Sequence, residues 1–152
     1  MTDRYNFTEE EWRLVVAAPF VVGISAMVFD PTLTSLVVEV ASLGKIVKQA
    51  AEHYGHNALI QACTQDTGAF DTREAERVSG MQISNLLEMF EQVLAIVDLR
   101  AEPGEVQDFR YFLYEVGEKM TEAAGEGILG TGPKTSDRER DFLTKLEGWL
   151  GI

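Results

Sequence analysis

Cysteine is nearly missing. Cys63 stands alone among 152 residues, which excludes an intrachain disulfide and fits a reducing compartment. Basic residues are scarce as well: 13 Lys and Arg face 25 Asp and Glu, for a net charge of −12. The deficit is spread over both halves, and no basic patch is visible. Nucleic acid and anionic membrane are therefore poor partners, and a cation or a basic protein surface is a better one. The same acidity also serves plain solubility. Charge-free sequence is short: the run from Leu14 to Phe29 covers 16 residues and is interrupted by Pro19 and Gly23. That is brief for a bilayer span and predicts a buried helix with no direct membrane insertion. Asp3, Glu9, Glu10 and Glu11 give the first twelve residues the wrong charge for a signal peptide, so the expected location is cytoplasmic. No Ser-His-Asp pattern, nucleophile elbow or zinc-protease motif occurs, and the expectation is a protein that is not an enzyme.

What is present is a regular alternation of apolar stripes and helix signals. At 45% hydrophobic and 25% charged, the chain suits one globular domain over residues 1–152. Thr8-Glu-Glu-Glu11 is a capping box, and the helix it opens is apolar on nearly all sides, which predicts a central position. Pro19 is expected to bend it, and Asp30-Pro31 to end it. A second helix is predicted from about Thr34 to Tyr54, with Gly55 as its C-cap. The β-branched stretch Leu36 to Val40 could be a strand, but no partner strand is apparent. Residues 57–65 suggest a short helix, followed by a turn at Thr67-Gly68.

Asp71-Thr-Arg-Glu74 caps a further helix reaching about Leu99, with an expected stripe of Val78, Met81, Leu87, Phe90, Leu94 and Val97 and a weak point at Gly80. Pro103 fits a first helical position, and Val106, Phe109, Phe112, Leu113, Val116, Met120 and Ala123 follow at helical spacing. Ser136-Asp-Arg-Glu139 is a third capping box, opening a helix closed by Gly151. The expected fold is all-α, a single helical bundle of five to seven helices.

The one strongly glycine-rich segment runs from Ala123 to Ser136, with Gly125, Gly127, Gly130 and Gly132 inside it. Gly125 to Gly130 spells G-x-G-x-x-G, yet a dinucleotide loop needs a strand before it and Glu126 would repel a pyrophosphate. Gly127 to Thr135 approaches a P-loop, but Pro133 displaces Lys134 and removes an N–H donor. Phosphate-ligand binding remains a third-ranked alternative. Hard divalent cations (Ca, Mg, Mn) want several oxygen ligands on a pliable loop, and Zn also accepts carboxylates. Glu122, Glu126, Asp137, Glu139 and Asp141 bring such oxygens to this segment, although acids at a helix start also serve the helix dipole with no metal. His53 and His56 flank Gly55, where two ligands alone make no metal site and cations at a helix end are the simpler reading. Cys63 on a helical segment reads as a small buried hydrophobe.

A helix ending in Ala-Ala, a glycine and acid turn, Ser136-Asp-Arg-Glu-Arg-Asp-Phe-Leu143 and a closing Trp149-Leu-Gly-Ile152 resemble the final unit of tellurite-resistance TerB-like proteins. The resemblance covers about the last thirty residues, and the family's Asp-Gly pair is matched here by Gly125-Glu126. It implies an all-helical domain of two related helix–turn–helix halves with acidic clusters for a divalent metal. Carried over by position, Glu139, Glu126 and Asp30 are the implied ligands. Val22-Gly23 and Val116-Gly117, each midway along an apolar helix, are the trace of such halves. The expected function is a TerB-like module working through protein contacts in a stress-response system. The alternative is a small assembly protein with no ligand, pairing through its apolar first helix and through Tyr111, Tyr114 and Trp149.

Overall fold

Side-chain caps set where the helices begin. The computed structural model describes residues 1–29, 40–66, 70–126 and 137–152. Thr8 Oγ1 accepts the Glu11 backbone N–H at 3.1 Å while a Glu11 carboxylate oxygen accepts the Thr8 N–H at 2.9 Å, and this reciprocal pair starts α1 (Glu9–Phe29). The chain continues as α2 (Val40–Ala51), a 3-10 turn over Glu52–Tyr54, α3 (Ala58–Gln65), α4 (Thr72–Ser79), α5 (Ile83–Arg100), α6 (Pro103–Glu126) and α7 (Asp137–Leu150). With seven α-helices and no strand among the described residues, the protein is all-α.

Asn57 caps α3 through the Ile60 N–H at 3.0 Å, and Asp71 caps α4 through the Glu74 N–H at 2.9 Å. Gly80 ends α4 and splits the predicted long helix in two. Val78, Phe90, Leu94 and Val97 are buried as expected; Leu86 and Val93 join them, while Met81 and Leu87 are only half-buried. Gly55 is a cap in right-handed helical geometry, not the left-handed one (φ −58°). Gly151 does take φ +71°, and Gly151 N–H to Gly148 O with Ile152 N–H to Glu147 O closes α7 in a Schellman motif. Two expectations about the end of α6 change: Ala123 is exposed, and the helix runs through Gly125 to Glu126, so this pair belongs to a last helical turn and not to a loop. The Asp30-Pro31 stop, the Thr34 start, the Leu36–Val40 stretch apart from Val40 itself, the Thr67-Gly68 turn, the glycines from Gly127 onward and the Ser136 cap lie outside the described residues.

All seven helices contribute to one hydrophobic core. α1 is its axis and packs against every other α-helix, most extensively α5 and α6. By length and composition α1 could cross a membrane, yet in this fold Trp12, Val15, Phe20, Val22 and Ile24 are buried on all its sides. Pro19 lies within α1 without ending it.

Two glycines allow the closest helix approaches. A Cβ at Gly23 would meet Leu43 Cδ2 of α2 at 2.8 Å, and one at Gly117 would meet Leu146 Cδ2 of α7 at 2.6 Å and Val22 Cγ1 of α1 at 3.4 Å. Each of these two long helices thus receives a leucine of the α-helix that follows it. Arg110 fastens the far end of the bundle, donating to both oxygens of Asp98 (2.8 and 2.9 Å) and to the Leu150 carbonyl at 2.6 Å.

Candidate interaction groove

Where α4 and α5 diverge on the surface of α1, the core is not fully roofed. Leu14 and Ala17 of α1 and Met89 and Ile96 of α5 pack against the core from its edge and stay half-exposed. Leu99, near the end of α5, is 74% exposed. Two adjoining clefts of about 430 and 670 Å³ share Glu10, Leu14 and Gln92 and together make one groove along α1. The first is walled by Thr8, Glu11, Ala95, Ile96 and Leu99, and the second by Ala17, Phe70, Met89 and the polar start of α4.

The charges along this groove are unequal in what they already hold. Glu11 receives the Thr8 backbone N–H first and then Arg100 at 3.2 Å, and these hold its carboxyl below the usual range. Asp71 is engaged as a cap, and Glu74 holds Arg77 at 2.9 Å. Arg13 on α1 and Arg73 on α4 are exposed and have no hydrogen-bond or ion-pair partner among the described residues. Glu10, which lines both clefts, is likewise exposed and without a partner among the described residues, so the open apolar floor is edged by charges of both signs and can seat an apolar side chain.

Sequence reasoning did not find this groove, because its walls come from segments near residues 10, 70 and 90 that only packing unites. One signal was available. Met89, Ile96 and Leu99 form a second apolar row on α5 beside the buried one, which a helix needing only one buried face would not carry.

Glu122 and Asp137 are exposed, Glu139 is 5% exposed at the start of α7, and Asp30 and the Glu126 side chain lie outside the described residues. Among the described residues no three His, Cys, Asp or Glu side chains converge as a metal-ligand group. Glu122 instead belongs to an acidic row on α6. Burial first, then Glu122, Glu115 and Glu147, push the Glu118 carboxyl above its usual range. Burial and the same carboxylates, Glu118 and Glu147, raise the neighbouring Tyr114 phenol to about 12.

His53 stands in the last turn before Gly55, as expected, and both histidines also reach across to α6: His53 Nδ1 pairs with Glu115, and His56 Nε2 meets Asp108 at 2.9 Å. Asn57, 1% exposed, adds its amide to Glu105 O and Asp108 (both 3.3 Å). Cys63 is buried as expected, and burial pushes its thiol well above the usual range. The apolar first helix is buried over most of its surface, and Leu14 and Ala17 are its partly open apolar positions. Trp149 is half-buried and stacks on Phe90 at 5.9 Å, which leaves Tyr111, 47% exposed, as the most open of the aromatics expected to pair.

No protein family, no curated protein and no solved structure matches the chain.

Proposed function

We propose that this protein is a non-enzymatic helical docking module, holding a partner helix in the groove along α1. The observation that carries the reading is the open apolar floor of Leu14, Met89, Ile96 and Leu99 on an otherwise well-packed bundle. This agrees with the TerB-like resemblance, which implies an all-helical module acting through protein contacts in a stress-response system. The test is selection of helical peptides from a random amphipathic library, followed by amide chemical-shift mapping. Footprints should fall on α1 and α5 beside Leu14 and Ile96, and Ile96→Glu should abolish them. Binders that consistently map elsewhere overturn the reading.

A second reading, a divalent cation held beside the first turn of α7, is favoured by Glu139, an acid only 5% exposed there. Calorimetric titration of chelator-treated protein with Ca²⁺, Mg²⁺, Mn²⁺ and Zn²⁺ tests it. Heat that disappears in Glu139→Gln supports the ion, and no heat for the wild type removes it.

A further inference from the structure

We infer that α4 unfolds locally from the bundle as a unit, between fixed ends at Phe70 and Gly80, and so gives the larger cleft a movable wall. The inference does not depend on what the groove holds. The other six α-helices are each joined to a neighbour by a polar contact: Arg100 of α5 to Glu11 of α1 at 3.2 Å, Gln61 of α3 to the Ala51 carbonyl of α2 at 3.1 Å, and Arg110 of α6 to the Leu150 carbonyl of α7 at 2.6 Å. Among the described residues α4 has no such tie. Its polar side chains bond only within the segment: the Asp71 cap to the Glu74 N–H, Arg77 to Glu74, and Ser79 to the Glu76 carbonyl. What holds it is small and apolar. Val78 is its one buried side chain, half-buried Ala75 packs beside it, and the helix rests chiefly on α1. Eight residues make a helix that is marginal by itself, so its order is borrowed from that contact. The flanks are different. Phe70 is 4% exposed and stacks on Phe20 at 4.7 Å, which pins the entry to α1. Gly80, exposed and with no close neighbour outside α4, gives a pliable joint to the separately packed α5. Few buried apolar contacts and no polar tie are the makings of a low-stability opening unit. The larger cleft lies between α4, α1 and α5, with Arg73, Glu74 and Arg77 on the α4 side, so the opening takes away that wall and widens the cleft over Val16 and Ala17.

Native-state hydrogen exchange on the full chain, read by NMR at rising urea below the unfolding transition, tests this. The helical amides of the segment, from Ala75 bonded to the Asp71 carbonyl to Gly80 bonded to that of Glu76, should exchange together. They should do so faster than the amides in the middle of α1 and α6 and with little dependence on urea, because a short segment exposes little surface on opening. Asp71→Ala removes the α4 cap and should speed these amides about fivefold. Thr8→Ala weakens α1 instead. It should speed exchange in the middle of α1 by a similar factor and leave α4 unchanged, since α1 stays folded while α4 is open. Exchange of α4 only together with α1, at one rate and one urea dependence, overturns the inference, as does an α4 that responds to Thr8→Ala the way α1 does. Rates that climb steadily from Val78 toward one end, the pattern of simple fraying, overturn it too. No peptide is present in these measurements, so their failure leaves the docking reading standing, and failure of that reading leaves the opening of α4 standing.

Discussion

Replacing Gly117 by alanine puts the packing of the bundle to a quantitative test. The new methyl group would lie 2.6 Å from Leu146 Cδ2 and 3.4 Å from Val22 Cγ1, and both neighbours are fully buried. Overfilling a packed core costs about 1–3 kcal/mol, and two crowded neighbours place this site near the upper end. Alanine in place of glycine within a helix returns about 1 kcal/mol, leaving a net loss of about 2 kcal/mol. For a domain of this size that lowers the melting temperature by roughly 4–8 °C. Gly148 on α7 is the internal control: it is exposed, a Cβ there meets nothing within 4 Å, and Gly148→Ala should stabilise by about 0.5–1 kcal/mol. Urea unfolding followed by circular dichroism reads both variants. A third chain, Gly117→Ala/Leu146→Ala, has the clash removed, so its loss should fall short of the summed single losses by about 1–2 kcal/mol. If Gly117→Ala gains stability as Gly148→Ala does, or if the double variant is additive within about 0.5 kcal/mol, the close approach of α6 and α7 is wrong.

Other perturbations reach other parts of the molecule. Thr8→Ala removes the capping oxygen of α1 and should cost about 1 kcal/mol in urea unfolding, whereas an unchanged midpoint would mean the cap is idle. Asn57→Ala leaves the Ile60 N–H and the Glu105 carbonyl without their buried partner, and should cost about 2 kcal/mol by the same measurement. Because the folded-state pKa of Glu118 is raised, its charged form opposes folding above that pKa, and the penalty vanishes below the unfolded carboxyl value of 4.5. Glu118→Gln should therefore melt higher than the wild type at pH 7, with the gap closing as pH falls toward 4, and a gap independent of pH contradicts this. A disulfide-exchange reagent should modify Cys63 only at the rate of unfolding, since the thiol is buried and its pKa raised, and rapid labelling of native protein would contradict its placement.

Local chemistry was legible in the sequence, and relations between distant segments were not. Thr8 with Glu11, Asp71 with Glu74, and Gly151 each act through neighbours a few residues away, so their roles follow from spacing alone. Gly80 showed the weak point and Phe90, Leu94 and Val97 the buried stripe, but that Leu86 and Val93 are buried and Leu87 is not depended on packing against α1 and α7. The acids near residues 122 to 141 are close along the chain; Asp30 and the Glu126 side chain lie outside the described residues, and Glu122 stands in a row with Glu115 and Glu118 on α6. His53 and His56 were read through the dipole of their own helix, while their partners Glu115 and Asp108 come from α6, some fifty to sixty residues further on. The groove is the extreme case, with three walls drawn from three separate stretches.

Burial of α1 against helices encoded much later has a consequence during synthesis. Its main neighbours, α5 and α6, end at Arg100 and Glu126, so this apolar segment leaves the ribosome well before they can cover it. At about 5–20 residues per second the wait is several seconds or more, long compared with helix formation. Throughout that interval a stretch with the makeup of a membrane anchor is on display, open to chaperones and to any machinery that sorts nascent chains by greasiness. The helix that holds the finished protein together is, until its later partners arrive, the part of it most in need of an escort.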